Sequence, residues 1–473
     1  MKFNVEEIVK FIPVVEKPPF KPAFKTRLKW TLAAVVIYFV LARVEIAGLI
    51  RGQINPTLEA LMTLTGSRVG SLMTLGIGPI ITAGIVLELL VGSKIINWDI
   101  KKPEGRAKFE SWNKLLAVVF AFIEAAAFVA SNAVPLAPGM KIKLLAITQI
   151  AMGSIIVLFL DDLVKKWGIG SGISLFILAG ISSSILIQLF SPFVYSVEQG
   201  KYVPWFTTQS MPAGKLLAFF VSLAQRDYYD AFLAAVPIIS TIGIIAFVAY
   251  VQSIRIEVPI AYSMFRGFGR PWSLRLLYTS TIPVIFAFAL MSNFQLIGRI
   301  GLTYQDGLYC GPLGCYDEQG VPVSGFIKYV TPPRNFVYKM IFGTVALSDI
   351  TQLLVYGIIF TIFAVIFSVF WVETSGMDPE SVAEQLTSYG FQIPGYRRDK
   401  RIIANILRKY IGPLAVLSGL IVGMLAMFAD MFSALGRGTG LLLSVTIAYS
   451  YYQQIKMERS EDMPVFLRRL IKE

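Results

Sequence analysis

Ten stretches of this chain are apolar enough to sit in hydrocarbon, and that pattern constrains the fold more than any other feature. A bilayer core of about 30 Å needs about 20 apolar residues per helix. Candidate spans fall near 29–47, 74–92, 115–132, 144–160, 168–189, 232–252, 277–298, 350–371, 412–430 and 438–455. In lipid every backbone N–H and C=O must find a partner within the protein, and runs of this length satisfy that requirement as helices. The 473 residues are 55% hydrophobic and only 15% charged, with a mean hydropathy of +0.65. The chain therefore reads as an all-α integral membrane protein with ten transmembrane helices. Its first span begins too late and runs too long for a cleavable signal, which predicts a retained N-terminus.

The second span is broken. In TLGIGPIITAGIVLELL (74–90), Gly76, Gly78, Pro79 and Gly84 interrupt an apolar run, and a polar, helix-capable segment from Pro56 to Ser71 precedes it. Backbone groups freed by a break at membrane depth must meet water or protein, so such breaks line pores or substrate sites. The pattern returns in the second half: GPIIT with Pro79 is echoed by IPVIF with Pro283, and GIGSGIS (168–174) by GRGTGLLLS (436–444). Five spans per half is an odd number, so a duplicated half enters the membrane in the opposite sense. The expected architecture is two pseudo-symmetric inverted five-helix halves around a central pore.

Charge sets the orientation. Connecting segments on the side of both termini carry more than twice the Lys and Arg of the other side, which predicts cytoplasmic termini. Before the first span, Val5, Ile8, Val9 and Ile12 recur at helical spacing, as in an amphipathic helix lying on the membrane surface or capping the bundle. Most of the net charge of +13 follows from the positive-inside bias. Two basic segments exceed it: 253–276, with Arg255, Arg266, Arg270 and Arg275, and YRRDKRIIANILRK (396–409), with Arg397 and Arg398. They suit an anionic cytoplasmic partner or lipid headgroups. Within the spans, Glu88 is expected to snorkel to the cytoplasmic surface and Glu124 to face the bundle interior or a polar partner. Cys310 and Cys315, the two cysteines, lie in an outer loop in the run CGPLGC and are a candidate disulfide. The chain has no histidine, which excludes His-based catalysis, His-ligated zinc and histidine proton relays. No metal site, cofactor or enzymatic centre is expected. A secondary transporter with inverted repeats is the alternative, but its breaks should present polar or charged ligands, and these present isoleucine.

At TLGIGPIITAGIVLELL, GIGSGISLFI, SALGRGTGLLL, WVETSGMDP and FQIPGYRR the chain resembles the SecY family, the channel subunits of the Sec protein translocon, with wording nearest the archaeal branch. The resemblance implies a channel that translocates unfolded secretory polypeptides and releases transmembrane segments sideways into lipid. Its implied partners are a SecE-type (gamma) subunit, a small beta subunit, the ribosome, polypeptides bearing signal sequences, and membrane lipids. By motif it assigns a pore ring to Ile77, Ile81, Ile169, Ile173, Ile285 and Leu443. A plug at about 55–68 takes in Asn55, Pro56, Thr57, Leu58, Leu61, Met62 and Thr65. The lateral gate falls to Thr82, Glu124 and Asn293, and ribosome docking to Arg255, Arg266, Arg270, Arg397 and Arg398; Leu158 is expected to face lipid. The implied organisation is a cytoplasmic segment (1–28), a first half (29–195), an external hinge-side loop (196–231), a second half (232–455) with cytoplasmic loops 253–276 and 372–411, and a tail (456–473).

Overall fold

The structure, a computed structural model, describes residues 15–50, 69–99, 102–131, 134–196, 201–207, 211–258, 261–262, 272–279, 282–305, 307–317, 320–333, 336–388, 391–392, 400–432, 434–436 and 438–461. Its helices are α1 (Phe24–Leu41), α2 (Gly78–Gly92), α3 (Pro103–Ala130), α4 (Met140–Trp167), α5 (Gly172–Phe190), α6 (Lys215–Ala224), α7 (Tyr228–Ser253), α8 (Ile282–Ile297), α9 (Phe326–Val330), α10 (Phe336–Ile341), α11 (Leu347–Thr374), α12 (Pro379–Ser388), α13 (Lys400–Met431) and α14 (Gly438–Glu461). Each apolar stretch identified from the sequence overlaps one of them. Among the described residues six (α3, α4, α5, α7, α11 and α13) are long and apolar enough to cross a membrane.

The second stretch shows what its glycines and proline do. Residues 74–77 are turns, and the helix begins only at Gly78, with Pro79 in its first turn, where proline lacks an N–H that the helix would not have used. The result is a 15-residue helix that starts inside the bundle. At other ends the helices overrun the expected spans. α3 begins at Pro103 rather than 115 and α13 at Lys400 rather than 412, so charged first turns extend beyond the apolar stretch.

One apolar cluster occupies the centre, drawing Ile77 from just before α2, Ile81 from α2, Phe176 from α5, Ile285 and Phe286 from α8, Phe360 from α11 and Leu443 from α14. A second lies under segments 253–276 and 372–411, where Val258, Leu274, Val382, Leu386, Ile403 and Leu407 pack together. Loop 372–411 is therefore largely folded, as α12 and the first turns of α13. α7 turns Ile239 (66% exposed), Ile242 and Tyr250 outward, an apolar face that water does not favour and lipid does.

The connecting segments carry what an all-α reading omitted. Three two-stranded antiparallel sheets pair β1 (Phe193–Ser196) with β2 (Lys201–Pro204), β3 (Arg255–Val258) with β5 (Trp272–Arg275), and β4 (Ala261–Tyr262) with β10 (Phe391–Gln392). A four-stranded sheet orders β6 (Thr303–Gln305), β7 (Leu308–Gly311), β8 (Gly314–Tyr316) and β9 (Pro322–Gly325) in sequence. The hinge-side loop contains the apolar helix α6. Leu158 does not face lipid: it is 6% exposed and belongs to the central cluster, because α4 is covered by α1, α2, α3 and α5.

Candidate pore constriction and lateral seam

The residues assigned to the ring all sit just before helix starts or within the first two turns. Ile77 immediately precedes α2 and Ile81 follows one turn later, on the same face. Ile173 is the second residue of α5, Ile285 lies in the first turn of α8, and Leu443 in the second turn of α14. Interrupted helices thus bring their first turns together at the middle of the bundle. Ile77, Ile81, Ile285 and Leu443 are each at most 5% exposed and belong to one cluster, and half-buried Ile173 packs against it. Ile169 stands apart. It is buried, but outside that cluster, with its N–H donating to the Thr31 hydroxyl of α1 at 3.0 Å. A waist of aliphatic side chains holds no fixed charge to bind an ion and is too apolar to stay wet.

Beside this cluster runs a polar seam. The Asn293 Nδ2 of α8 donates to Thr82 Oγ1 of α2 at 3.1 Å, and Thr82 donates to its own Gly78 carbonyl at 3.1 Å. Glu124 of α3 meets the same corner. Its side chain engages Thr82, its Oε2 would lie 3.2 Å from a Cβ built on Gly78, and its buried Oε1 has no hydrogen-bond partner among the described residues. Glycine at 78 thus leaves room for the carboxylate. Glu88 does not snorkel: it is 4% exposed and accepts a hydrogen bond from the Thr374 hydroxyl at 2.9 Å, at the C-terminal end of α11. α2 is therefore bound to the second half at two levels, through Asn293 and through Thr374. Sequence reasoning missed Thr374, because a threonine near a helix end carries no mark of a partner 286 residues away.

In segment 253–276, Arg255 is exposed on β3 directly across from Arg275 on β5. Arg275 donates to the Gln453 side chain of α14. Partial burial lowers the Arg275 pKa, Tyr449 opposes that shift, and Arg255 adds to it. Arg266, Arg270, Arg397 and Arg398 lie outside the described residues, as do the plug residues Asn55, Pro56, Thr57, Leu58, Leu61, Met62 and Thr65, and the amphipathic segment through residue 14. In the loop between α8 and α9, Cys310 and Cys315 face each other across β7 and β8 and are joined by a disulfide.

The sequence model of the SecY family matches residues 71–452, a stretch that holds the apolar cluster, the polar seam and the segments 253–276 and 372–411. The chain belongs to the SecY family. The protein translocase subunit SecY of Methanocaldococcus jannaschii is 38% identical over 466 residues, covering 98% of each chain. The Pyrococcus furiosus subunit is 38% identical over 471 residues, covering 98% of this chain and 97% of its own. Among solved structures, that of a protein conducting channel superposes with a TM-score of 0.82 at 38% identity, over 96% of this chain and 97% of the other. Sec61 in the canine ribosome–channel complex superposes at 0.78, with 38% identity and the same coverage. The fold is accordingly that of an all-helical, multi-pass membrane channel.

Proposed function

We propose that this chain is the channel-forming subunit of a protein translocase, passing unfolded secretory polypeptides through its centre and releasing transmembrane segments sideways into lipid. The observation that carries this reading is the convergence of Ile77, Ile81, Ile173, Ile285 and Leu443 from four helices on one dry cluster. Such a cluster grips no particular sequence, yet it closes to water when empty. In this reading ten helices form two inverted halves, residues 29–195 and 232–455, with a plug at about 55–68 on the outer side of the ring. Thr82, Glu124 and Asn293 hold the lateral gate, weakly enough for an apolar signal sequence to compete. Both termini lie in the cytoplasm, following the excess of Lys and Arg on that side. A SecE-type subunit, a small beta subunit and the ribosome are the partners, the last through Arg255, Arg266, Arg270, Arg397 and Arg398. The canine relative, solved in a ribosome–channel complex, supports that partner. A solute transporter is not favoured, since the helix starts present aliphatic side chains instead of ion ligands.

The test is crosslinking of a secretory chain stalled in transit to single cysteines at Ile77, Ile173 and Leu443. Each should react, whereas a cysteine at outward-facing Ile239 should not. Silent ring positions with a reactive Ile239 control would place the path elsewhere.

A further inference from the structure

Two buried aspartates occupy matching places in the two halves. Asp161, 2% exposed in α4, accepts a hydrogen bond from the backbone N–H of Ile173, the second residue of α5, at 2.9 Å. Asp430, 9% exposed in α13, accepts one from the N–H of Thr439, the second residue of α14, at 3.0 Å. The surroundings repeat as well. Two residues before each helix start a glycine takes positive φ, Gly170 at +75° and Gly436 at +76°. The first residue of each helix is a glycine pressed on the aspartate's own helix. A Cβ on Gly172 would lie 2.6 Å from Asp161 Cα, and one on Gly438 would lie 2.1 Å from Asp430 N.

Each carboxylate's other oxygen is also held, Asp161 Oδ2 by Lys165 at 2.6 Å and Asp430 Oδ2 by the Tyr356 hydroxyl at 2.8 Å. A contact joins the two devices: Tyr451 of α14 donates to the carbonyl of Ser171, just before α5, at 2.6 Å. The first four N–H groups of a helix have no partner within it, and here a side chain from the preceding helix supplies one. The helix starts so fixed carry the ring: Ile173 is itself the donor to Asp161, and Leu443 lies one turn beyond Thr439.

We propose that Asp161 and Asp430 are positioning residues for the pore constriction, each fixing a helix start that carries a ring side chain within its first two turns; the inference rests on the channel reading above. Loss of either cap frees that helix start and lets the ring part at rest. Asp161→Ala and Asp430→Ala should each raise the resting ion leak of the reconstituted channel complex by about fivefold, the factor associated with losing one helix cap. Asp161→Asn and Asp430→Asn keep an oxygen acceptor and should restore a leak near wild type. Ser368→Ala, which breaks the buried hydrogen bonds of Ser368 to the Thr279 hydroxyl and the Ala415 carbonyl, controls for general destabilisation and should lower thermal stability without leak. Alanine variants that insert normally and stay tight would overturn the proposal, and so would equal leak from Ser368→Ala. The double variant Ile81→Asn with Ile173→Asn separates the two readings: if it leaks while the aspartate variants do not, only the positioning role fails. If it too stays tight, the ring assignment itself fails.

Discussion

Replacing Asn293 by leucine removes the donor of the 3.1 Å bond to Thr82 while keeping the same number and branching of side-chain heavy atoms, so it tests the seam with the side-chain shape retained. Interhelical hydrogen bonds in membranes are worth about 0.6 kcal/mol on average and up to about 1.7. This bond is half-buried and of ordinary length, which places it near the average, or about a threefold shift in the ratio of closed to open gate. Thr374→Val removes the Glu88 contact at the other level of α2 and should add a similar factor. The two contacts lie six residues apart on α2, about 9 Å along the axis, far enough for their effects to add. Together they should favour opening about eightfold, read as resting conductance in planar bilayers and as translocation of substrates with weakened signal sequences. A double-mutant cycle decides whether the bond itself matters: Thr82→Val with Asn293→Leu should cost no more than Thr82→Val alone, which also loses the Glu124 contact. Fully additive effects of Thr82→Val and Asn293→Leu, or unchanged conductance in both, would refute the seam.

Ring chemistry should matter more than side-chain identity, so Ile81→Leu should stay tight and active, whereas Ile81→Asn with Ile173→Asn should wet the waist and raise vesicle leak; equal leak from both would refute sealing by dewetting. Intact-mass measurement after alkylation without reductant should find no modified thiol at Cys310 or Cys315, and two labelled cysteines would exclude the bond in the native protein. Arg255→Glu combined with Arg397→Glu should weaken cosedimentation with ribosomes and flatten its salt dependence, whereas unchanged binding at physiological salt would remove these arginines from the docking surface.

Helix existence was legible because hydropathy is a bulk property: ten apolar stretches each gave a helix. Helix ends were less legible. Lys400–Ile411 reads as a charged loop when judged against lipid, yet Ile403, Leu407 and Ile411 recur at helical spacing and bury themselves in the second apolar cluster. The outer loop's sheet was foreshadowed only by CGPLGC, whose Gly-Pro-Leu-Gly turn sits between β7 and β8. Leu158 shows the opposite failure. An apolar residue in an apolar span carries no signal for which face meets lipid, and only the packing of α4 against four neighbours decides it.

The constriction was legible through family motifs rather than physics, since isoleucine near a helix start is the ordinary material of packing. Polar groups are more informative, because burying one without a partner costs free energy and so implies a contact. That logic points correctly at Glu124, and applied to Glu88 it should have outweighed snorkelling, for a carboxylate that can be satisfied by a hydroxyl inside the bundle need not reach the surface. It applies with most force to Asp161 and Asp430, which close their spans beside charged or glycine-rich segments and so pass for residues at a membrane boundary. Their significance lies in the pairing of each with a glycine-led helix start 8 to 11 residues on. The echo between GIGSGIS and GRGTGLLLS aligns Gly168 with Gly436 by wording, but the backbone aligns Gly170 with Gly436, two residues later. In that register the repeated element is a device, an aspartate, a left-handed glycine and a packed glycine, and matching letters alone could not reveal it.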